Sequence, residues 1–185
     1  SVRAAVESGL AREGAVILGG DAAIRFTHRF ASPEEREWME GKARAVSGIV
    51  DFRSMIVHAP EGGPPERVLV QVKGVDALYP LYGEVLLEGG GDFREALEAG
   101  GDLPGLVAER VLADRLGVAP GEVLRLGRQD FRLTGILAFE PDAAGTGFAF
   151  GPRVIVARDA LGASGPLSEG TIFERHWRLA LPPGA

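Results

Sequence analysis

The sequence predicts an α+β fold made of an α/β part, in which helices cover one face of a sheet, and a smaller β-rich part inserted into it. Three observations support this prediction. Residues 21–75 read as strand, helix, strand, strand, and residues 153–181 return to the same style. Between them, residues 123–137 hold two short strands with a tight connection, a spacing that suggests a small barrel-like unit. We therefore place the boundaries between the two parts near residues 76 and 151. This assigns 1–76 plus 151–185 to the α/β part and 77–150 to the insertion.

The elements of the α/β part follow from apolar spacing and from residues that begin or end helices. Apolar residues four apart predict a helix over residues 2–13. Ser32 and Pro33 begin a second helix as N-cap and first helical residue, and this helix is predicted to run to about Val46. Alternating apolar residues predict strands at 21–30, 49–58, 67–75, 153–156 and 171–181, with a helical turn at 158–162.

The inserted part opens on a turn rich in aromatic residues, 78–83. Gly91 and Asp92 begin a brief helix that runs to about Glu98, and Gly117 ends a helix over 109–116. The remaining predicted elements are extended segments at 84–88 and 105–108, strands at 123–126 and 131–137, and a glycine-rich loop at 141–151.

The composition excludes several classes of function. With 45% hydrophobic and 25% charged residues, the 185-residue chain is globular rather than disordered. It contains no cysteine, which excludes disulfides, thiolate metal sites and thiol nucleophiles. The net charge of −6 argues against a nucleic-acid partner, which would need a basic face. No apolar run approaches the roughly 18 residues of a membrane span, and we expect the chain to be a fragment of a longer protein.

No catalytic, cofactor or metal site is expected from the motifs. The three histidines, His28, His58 and His176, all lie on predicted strands, and none has a second histidine at the helical spacing of metal sites. No serine lies in a Gly-x-Ser-x-Gly motif. A metal site or triad formed by residues distant in sequence remains open as an alternative. The sequence otherwise predicts a protein that is not an enzyme.

Four aromatic residues are candidate contacts for a partner. Phe148 and Phe150 lie in the glycine-rich loop, where exposed apolar residues often mark interaction surfaces. Tyr79 and Tyr82 flank Pro80 in the aromatic turn. The alternative for the phenylalanines is that they fold back into the core. The alternative for the tyrosines is that they pack a turn joining the two parts.

Four motifs resemble one transporter family. Residues 107–127, VAERVLADRLGVAPGEVLRLG, and 131–137, FRLTGIL, resemble the extracytoplasmic core of MacB-like ABC transporter permeases in the FtsX-like superfamily. Residues 78–83, LYPLYG, and 147–154, GFAFGPRV, are similar to the YbbP-like subgroup. The resemblance implies a porter-like α/β part and an inserted sabre-like part. Residues 2–13 would then continue a membrane helix, and the end of the chain would lead to another.

The resemblance also implies a function. The chain would be a non-catalytic domain on the extracytoplasmic, periplasmic face of the membrane. It would couple stalk motion, driven by a cytoplasmic ATPase subunit through membrane segments missing from the chain, to export or to engagement of a lipoprotein or lipid partner. The isolated domain is expected to be a monomer. A stand-alone binding module for a lipid or peptide is the main alternative, and a hydrolase with a convergent cleft is a third.

Overall fold

The computed structural model describes residues 22–27, 33–42, 45–141, 151–162 and 173–181. The helix predicted over residues 2–13 lies outside them, as do Phe148 and Phe150. The helices are α1 Pro33–Lys42, α2 Phe93–Glu98, α3 Arg110–Leu116 and a 3₁₀ helix Arg158–Leu161. The strands are β1 Ala22–Thr27, β2 Ala45–His58, β3 Glu66–Val75, β4 Leu86–Leu87, β5 Gly105–Glu109, β6 Val123–Leu126, β7 Gln129–Phe139, β8 Arg153–Ala157 and β9 Phe173–Ala180.

Six strands close into a ring in the order β2–β3–β8–β5–β7–β6 and back to β2. The β3–β8 and β5–β7 pairs are parallel, and the other four pairs of the ring are antiparallel. The long strand β2 makes closure possible because one of its edges serves two partners. Residues 45–52 on that edge pair with β9, and Ile56 and Val57 pair with β6. Strand β1 extends the sheet beyond β9, and β4 extends it beyond β7.

The main core fills this ring. Alternate residues on all six ring strands point inward, as the two-residue period of a strand requires, and helix α3 adds Leu112, Ala113 and Leu116 to the same cluster. Val68, Val70 and Val72 on β3 are buried, as the sequence predicted for one side of that strand. Burial of this size is the dominant favourable term in folding, so the ring is the stable centre of the molecule.

A second core lies on the outer face of the ring. Ile49, Val75, Val107 and Ile155, from four neighbouring strands, pack beneath helix α2 and the aromatic turn. The side chain of Asp92 begins α2 by accepting from the backbone N–H groups of residues 94 and 95, as predicted for its N-cap. The site described below lies at the border of this second core.

The structure confirms the α+β class, and it corrects one boundary. The helix predicted to reach Val46 ends at Lys42, and β2 begins at Ala45 rather than at residue 49. Ser47 and Gly48 suggested a helix end, but pairing with β9 over residues 45–52 supplies strand partners for their backbone. Helix α3 and its end at Gly117, which has φ 64°, agree with the sequence. The division at residues 76 and 151 stays a prediction, because strands from both parts form the ring.

Candidate partner-contact site

The aromatic turn is attached to the sheet by Asp76, the first residue after β3. Its carboxylate accepts hydrogen bonds from Ser47 Oγ at 2.8 Å and from the backbone N–H of Gly48 at 2.5 Å. It also accepts from the N–H of Leu78 at 3.0 Å, a local bond of the kind by which aspartate initiates turns. Asp76 therefore stabilises the start of the turn and attaches it to the beginning of β2.

Tyr79 points from this turn into the second core. It is 1% exposed, and its ring meets that of Phe93 edge-on, with centroids 6.3 Å apart. Arg94 Nη2 donates to the Tyr79 carbonyl oxygen at 2.7 Å. The ring of Tyr79 thus packs in the interior, as in the alternative to a partner-contact role. Tyr82 is partly buried, and a contact role for it stays a prediction.

Tyr79 reaches a cluster of buried charges that the sequence did not reveal. Glu140 Oε1 contacts Lys73 Nζ and accepts a hydrogen bond from the Tyr79 hydroxyl at 3.0 Å. Glu140 Oε2 contacts Arg153 Nη1. The side chains of Lys73 and Glu140 are each 1% exposed and that of Arg153 is 7% exposed. We call Lys73, Tyr79, Glu140 and Arg153 the buried charge cluster. Charges this deep persist only when paired and hydrogen-bonded.

The cluster also places the ends of the glycine-rich segment. Glu140 directly follows β7 and Arg153 begins β8, so their ion pair joins the two stretches of chain that flank the glycine-rich segment. We call these flanking stretches, residues 139–140 and 152–153, the stem. The stem is held further by the Arg153 N–H, which donates to Glu109 Oε2 at 2.8 Å, and by the Gln71 N–H, which donates to the Pro152 carbonyl at 2.9 Å. Phe148 and Phe150 lie outside the described residues, and their contact role stays a prediction.

Exposed apolar side chains surround this region. Leu86 on β4 and Phe139 on β7 are direct cross-strand partners, and both are about half exposed. Leu78, in the aromatic turn itself, is 52% exposed. Apolar groups that remain in water beside an ordered polar cluster suit contact with another molecule. The sequence analysis missed Leu86 and Phe139 because strand β4 contains two residues and gives no periodic signal.

Comparison with known proteins shows what this chain is similar to. The chain is 24% identical over 166 residues, 90% of its length, to the uncharacterized ABC transporter permease YbbP of Escherichia coli K12, and it spans 19% of the length of YbbP. Its fold is similar to that of the extracellular domain of the noncanonic ABC-type transporter YknZ from Gram-positive bacteria (16% identity, TM-score 0.51), covering 84% of this chain and 73% of that one. It is also similar to the periplasmic region of MacB from Actinobacillus actinomycetemcomitans (10% identity, TM-score 0.52), covering 91% of this chain and 78% of that one.

The chain therefore has the fold of a MacB-like extracytoplasmic domain, and its sequence is similar to part of an ABC transporter permease. These similarities agree with the resemblance expected from residues 78–83, 107–127, 131–137 and 147–154. No protein-family model matches the chain. Within the residues that the structure describes, the MacB-like domain has no helix long and apolar enough to cross a membrane.

The histidine whose side chain is described makes a polar contact with a carboxylate on the β6 side. His58 is 8% exposed, and its Nε2 lies 3.4 Å from Glu122 Oε1. The side chains of His28 and His176 lie outside the description. In the described ranges, no three His, Asp or Glu residues are grouped so that they could hold a metal ion.

Two surface ion pairs outside the buried charge cluster lower the pKa of a carboxylate. Hydrogen bonding from Arg110 lowers the pKa of Glu88; Arg110 Nε donates to Glu88 Oε2 at 3.1 Å. Hydrogen bonding from Arg125 likewise lowers the pKa of Asp130, with Arg125 Nε 2.8 Å from Asp130 Oδ1. Both pairs are exposed to solvent, which weakens their effect on stability.

Proposed function

We propose that this MacB-like domain works as a non-catalytic, force-transmitting domain on the extracytoplasmic side of an ABC permease. ATP hydrolysis in a separate cytoplasmic subunit would move the membrane segments, and the domain would pass that displacement to a substrate or to a partner protein. The observation that carries the proposal is the relation to the permease YbbP over 90% of the chain. The extracytoplasmic placement is supported by the fold, which is similar to extracellular and periplasmic domains.

The closed ring suits this role on physical grounds. Each of its six strands is hydrogen-bonded on both edges to strands of the same ring, and the interior is filled. Close-packed interiors have low compressibility and transmit displacement rather than absorbing it. The ring would therefore move as one body, and engagement would take place at the outer layer, where the aromatic turn and the pair Leu86 and Phe139 lie.

We further propose that the parts before residue 77 and after residue 150 form the porter-like unit and that residues 77–150 form the sabre-like unit. A lipoprotein or a lipid is the proposed engaged molecule, because the exposed groups around the aromatic turn are apolar. In the absence of membrane segments, the domain is proposed to be a monomer. Light scattering at micromolar concentration tests this, and a stable dimer would contradict it.

The alternative is a stand-alone binding module that holds a lipid or peptide at the same site. The exposed Leu86, Phe139 and Leu78 favour it as much as they favour partner engagement. The two functions differ in whether the domain moves with the nucleotide state.

Distance measurements between spin labels separate the two functions. Because this domain contains no cysteine, single cysteines can be introduced without background inside it. The full-length permease would be labelled at Glu61 in the exposed hairpin loop, paired either with Val111, 58% exposed on α3, or with a site on a membrane helix. We expect the distance from Glu61 to Val111 to stay constant and the distance to the membrane helix to change with ATP. Constant distances throughout would refute force transmission.

A further inference from the structure

We propose that Glu140 is a positioning residue that couples the aromatic turn to the stem through its own carboxylate. Its two carboxylate oxygens bind different segments of the chain. Oε1 accepts from the Tyr79 hydroxyl in the turn at 3.0 Å, and Oε2 binds the Arg153 guanidinium in the stem. This role would hold in a binding module as well as in a force-transmitting domain.

The turn and the stem each have attachments of their own, but these lead elsewhere. Asp76 ties the turn to β2, and Arg94 on α2 holds the Tyr79 carbonyl. Glu109 and Gln71 hold the stem to β5 and β3. The Glu140 carboxylate differs from all of these, because it binds a side chain from the turn and a side chain from the stem at once.

The chemistry of the cluster explains why such a joint is rigid. Lys73 and Arg153 bring two positive charges, and Glu140 brings a negative one; Asp51, buried directly opposite Lys73 in the β2–β3 register, brings another. A buried network of charges is stable only in the arrangement that satisfies every member, whereas apolar side chains of similar size pack acceptably in several. Loss of the Tyr79 hydroxyl would remove one of the donors that fix the orientation of the Glu140 carboxylate, so its pairing with Arg153 would be less well aligned.

Amide hydrogen exchange on the substitution Tyr79→Phe tests this coupling. The substitution removes the hydroxyl that binds Glu140 and keeps the ring in the second core, so the chain should fold. We expect amide exchange to become about tenfold faster or more in the turn, because a hydrogen bond to a charged group stabilises by about 1.5–3 kcal/mol. We expect the same at two amides that report on the stem, those of Arg153 and of Gln71, which donates to the Pro152 carbonyl. Amides of the hairpin formed by β2 and β3 near Ile56 serve as the reference and should change much less.

The matched control acts on the same residue through its backbone. Arg94→Met removes the hydrogen bond to the Tyr79 carbonyl but leaves the hydroxyl on Glu140. It should quicken exchange in the turn and leave the stem unchanged. Two results would overturn the proposal: Tyr79→Phe quickening the turn without the stem, or Tyr79→Phe raising exchange equally in the turn, the stem and the reference hairpin, as a merely structural role would.

A second variant addresses the carboxylate itself in the same chain. If Glu140→Gln folds, exchange at the turn and at the stem should respond to low concentrations of urea with different slopes, because the two regions then open separately. A common slope in this variant, equal to that of the unsubstituted chain, would also overturn the proposal. If Glu140→Gln does not fold, the comparison of Tyr79→Phe with Arg94→Met decides alone.

Discussion

Replacing Glu140 by glutamine should destabilise the domain more than any isosteric change of a surface carboxylate. The substitution keeps the shape of the side chain but removes its charge, while Lys73 and Arg153 stay buried beside it. Both were paired to the same carboxylate, and the remaining amide offers them a single neutral oxygen. Removing one member of a buried ion pair costs about 3–5 kcal/mol, because the partner charge is left uncompensated.

Urea denaturation followed by circular dichroism measures this effect. For a chain of this size we take a slope of roughly 2 kcal/mol per molar urea. A loss of about 3–5 kcal/mol therefore moves the midpoint down by about 2 M. The slope should stay the same, because the unfolded surface is unchanged.

The control for this experiment is Glu88→Gln, which breaks the ion pair with Arg110 on the surface. Both side chains are well exposed, 51% for Arg110 and 38% for Glu88, so water replaces the lost partner and the midpoint should barely move. If Glu140→Gln and Glu88→Gln shift the midpoint equally, the carboxylate of Glu140 is not compensating buried charge and the reasoning fails.

Three further outcomes follow from the structure. Gly105→Ala should lower the free energy of unfolding by about 1–3 kcal/mol through overpacking, because the new Cβ would lie 2.2 Å from the Ala96 carbonyl oxygen. Thermal unfolding measures this loss, and an unchanged midpoint would contradict it. Gly117→Ala has free space for the Cβ but must adopt φ 64°, so about 1 kcal/mol should be lost through strain alone. Hydrogen bonding from Arg125 lowers the pKa of Asp130, so the ionised carboxylate adds stability above the ordinary aspartate pKa, and this stability is lost as pH falls through the lowered pKa. In urea titrations, Asp130→Asn should therefore lower stability at pH 6 and lower it less at pH 3.

Local patterns in the sequence predicted much of this fold. Alternation located β3 and placed Val68, Val70 and Val72 inside, since the inward side of a strand repeats every second residue. Gly117 ends α3 in the left-handed conformation that glycine adopts without steric cost. These features depend on neighbours within a few residues, which is why they can be read from one chain.

Features that depend on distant residues were missed. The helix end at Val46 was wrong because β9, more than a hundred residues later in the chain, pairs with residues 45–52. The ring could not be foreseen either, because it closes only where Leu126 on β6 meets Ile56 on β2. No local sequence pattern predicts a pairing between strands so far apart in the chain.

The buried charge cluster was missed for the same reason. Alternation along β3 places Lys73 on the face opposite to Val70 and Val72, the face that carries the exposed Leu69, so the pattern predicts a lysine in solvent. A buried lysine needs a carboxylate partner. The partner, Glu140, is 67 residues away, and its sequence position beside a glycine-rich segment suggested a loop rather than a core.

The location of the charge cluster has a consequence for how the domain can change shape. The ring holds most of the buried apolar surface, so its opening free energy should be close to that of global unfolding. The outer layer is smaller: α2 spans six residues and the aromatic turn contributes Tyr79 to the core. Its attachment combines the burial of apolar side chains with a few polar groups, Asp76, Arg94 and Glu140. Loss of those polar contacts should let this layer open while the ring stays closed. Contact specificity and structural stability are thus separated in the molecule, and substitutions at Glu140 should affect both while substitutions at Arg94 affect the outer layer alone.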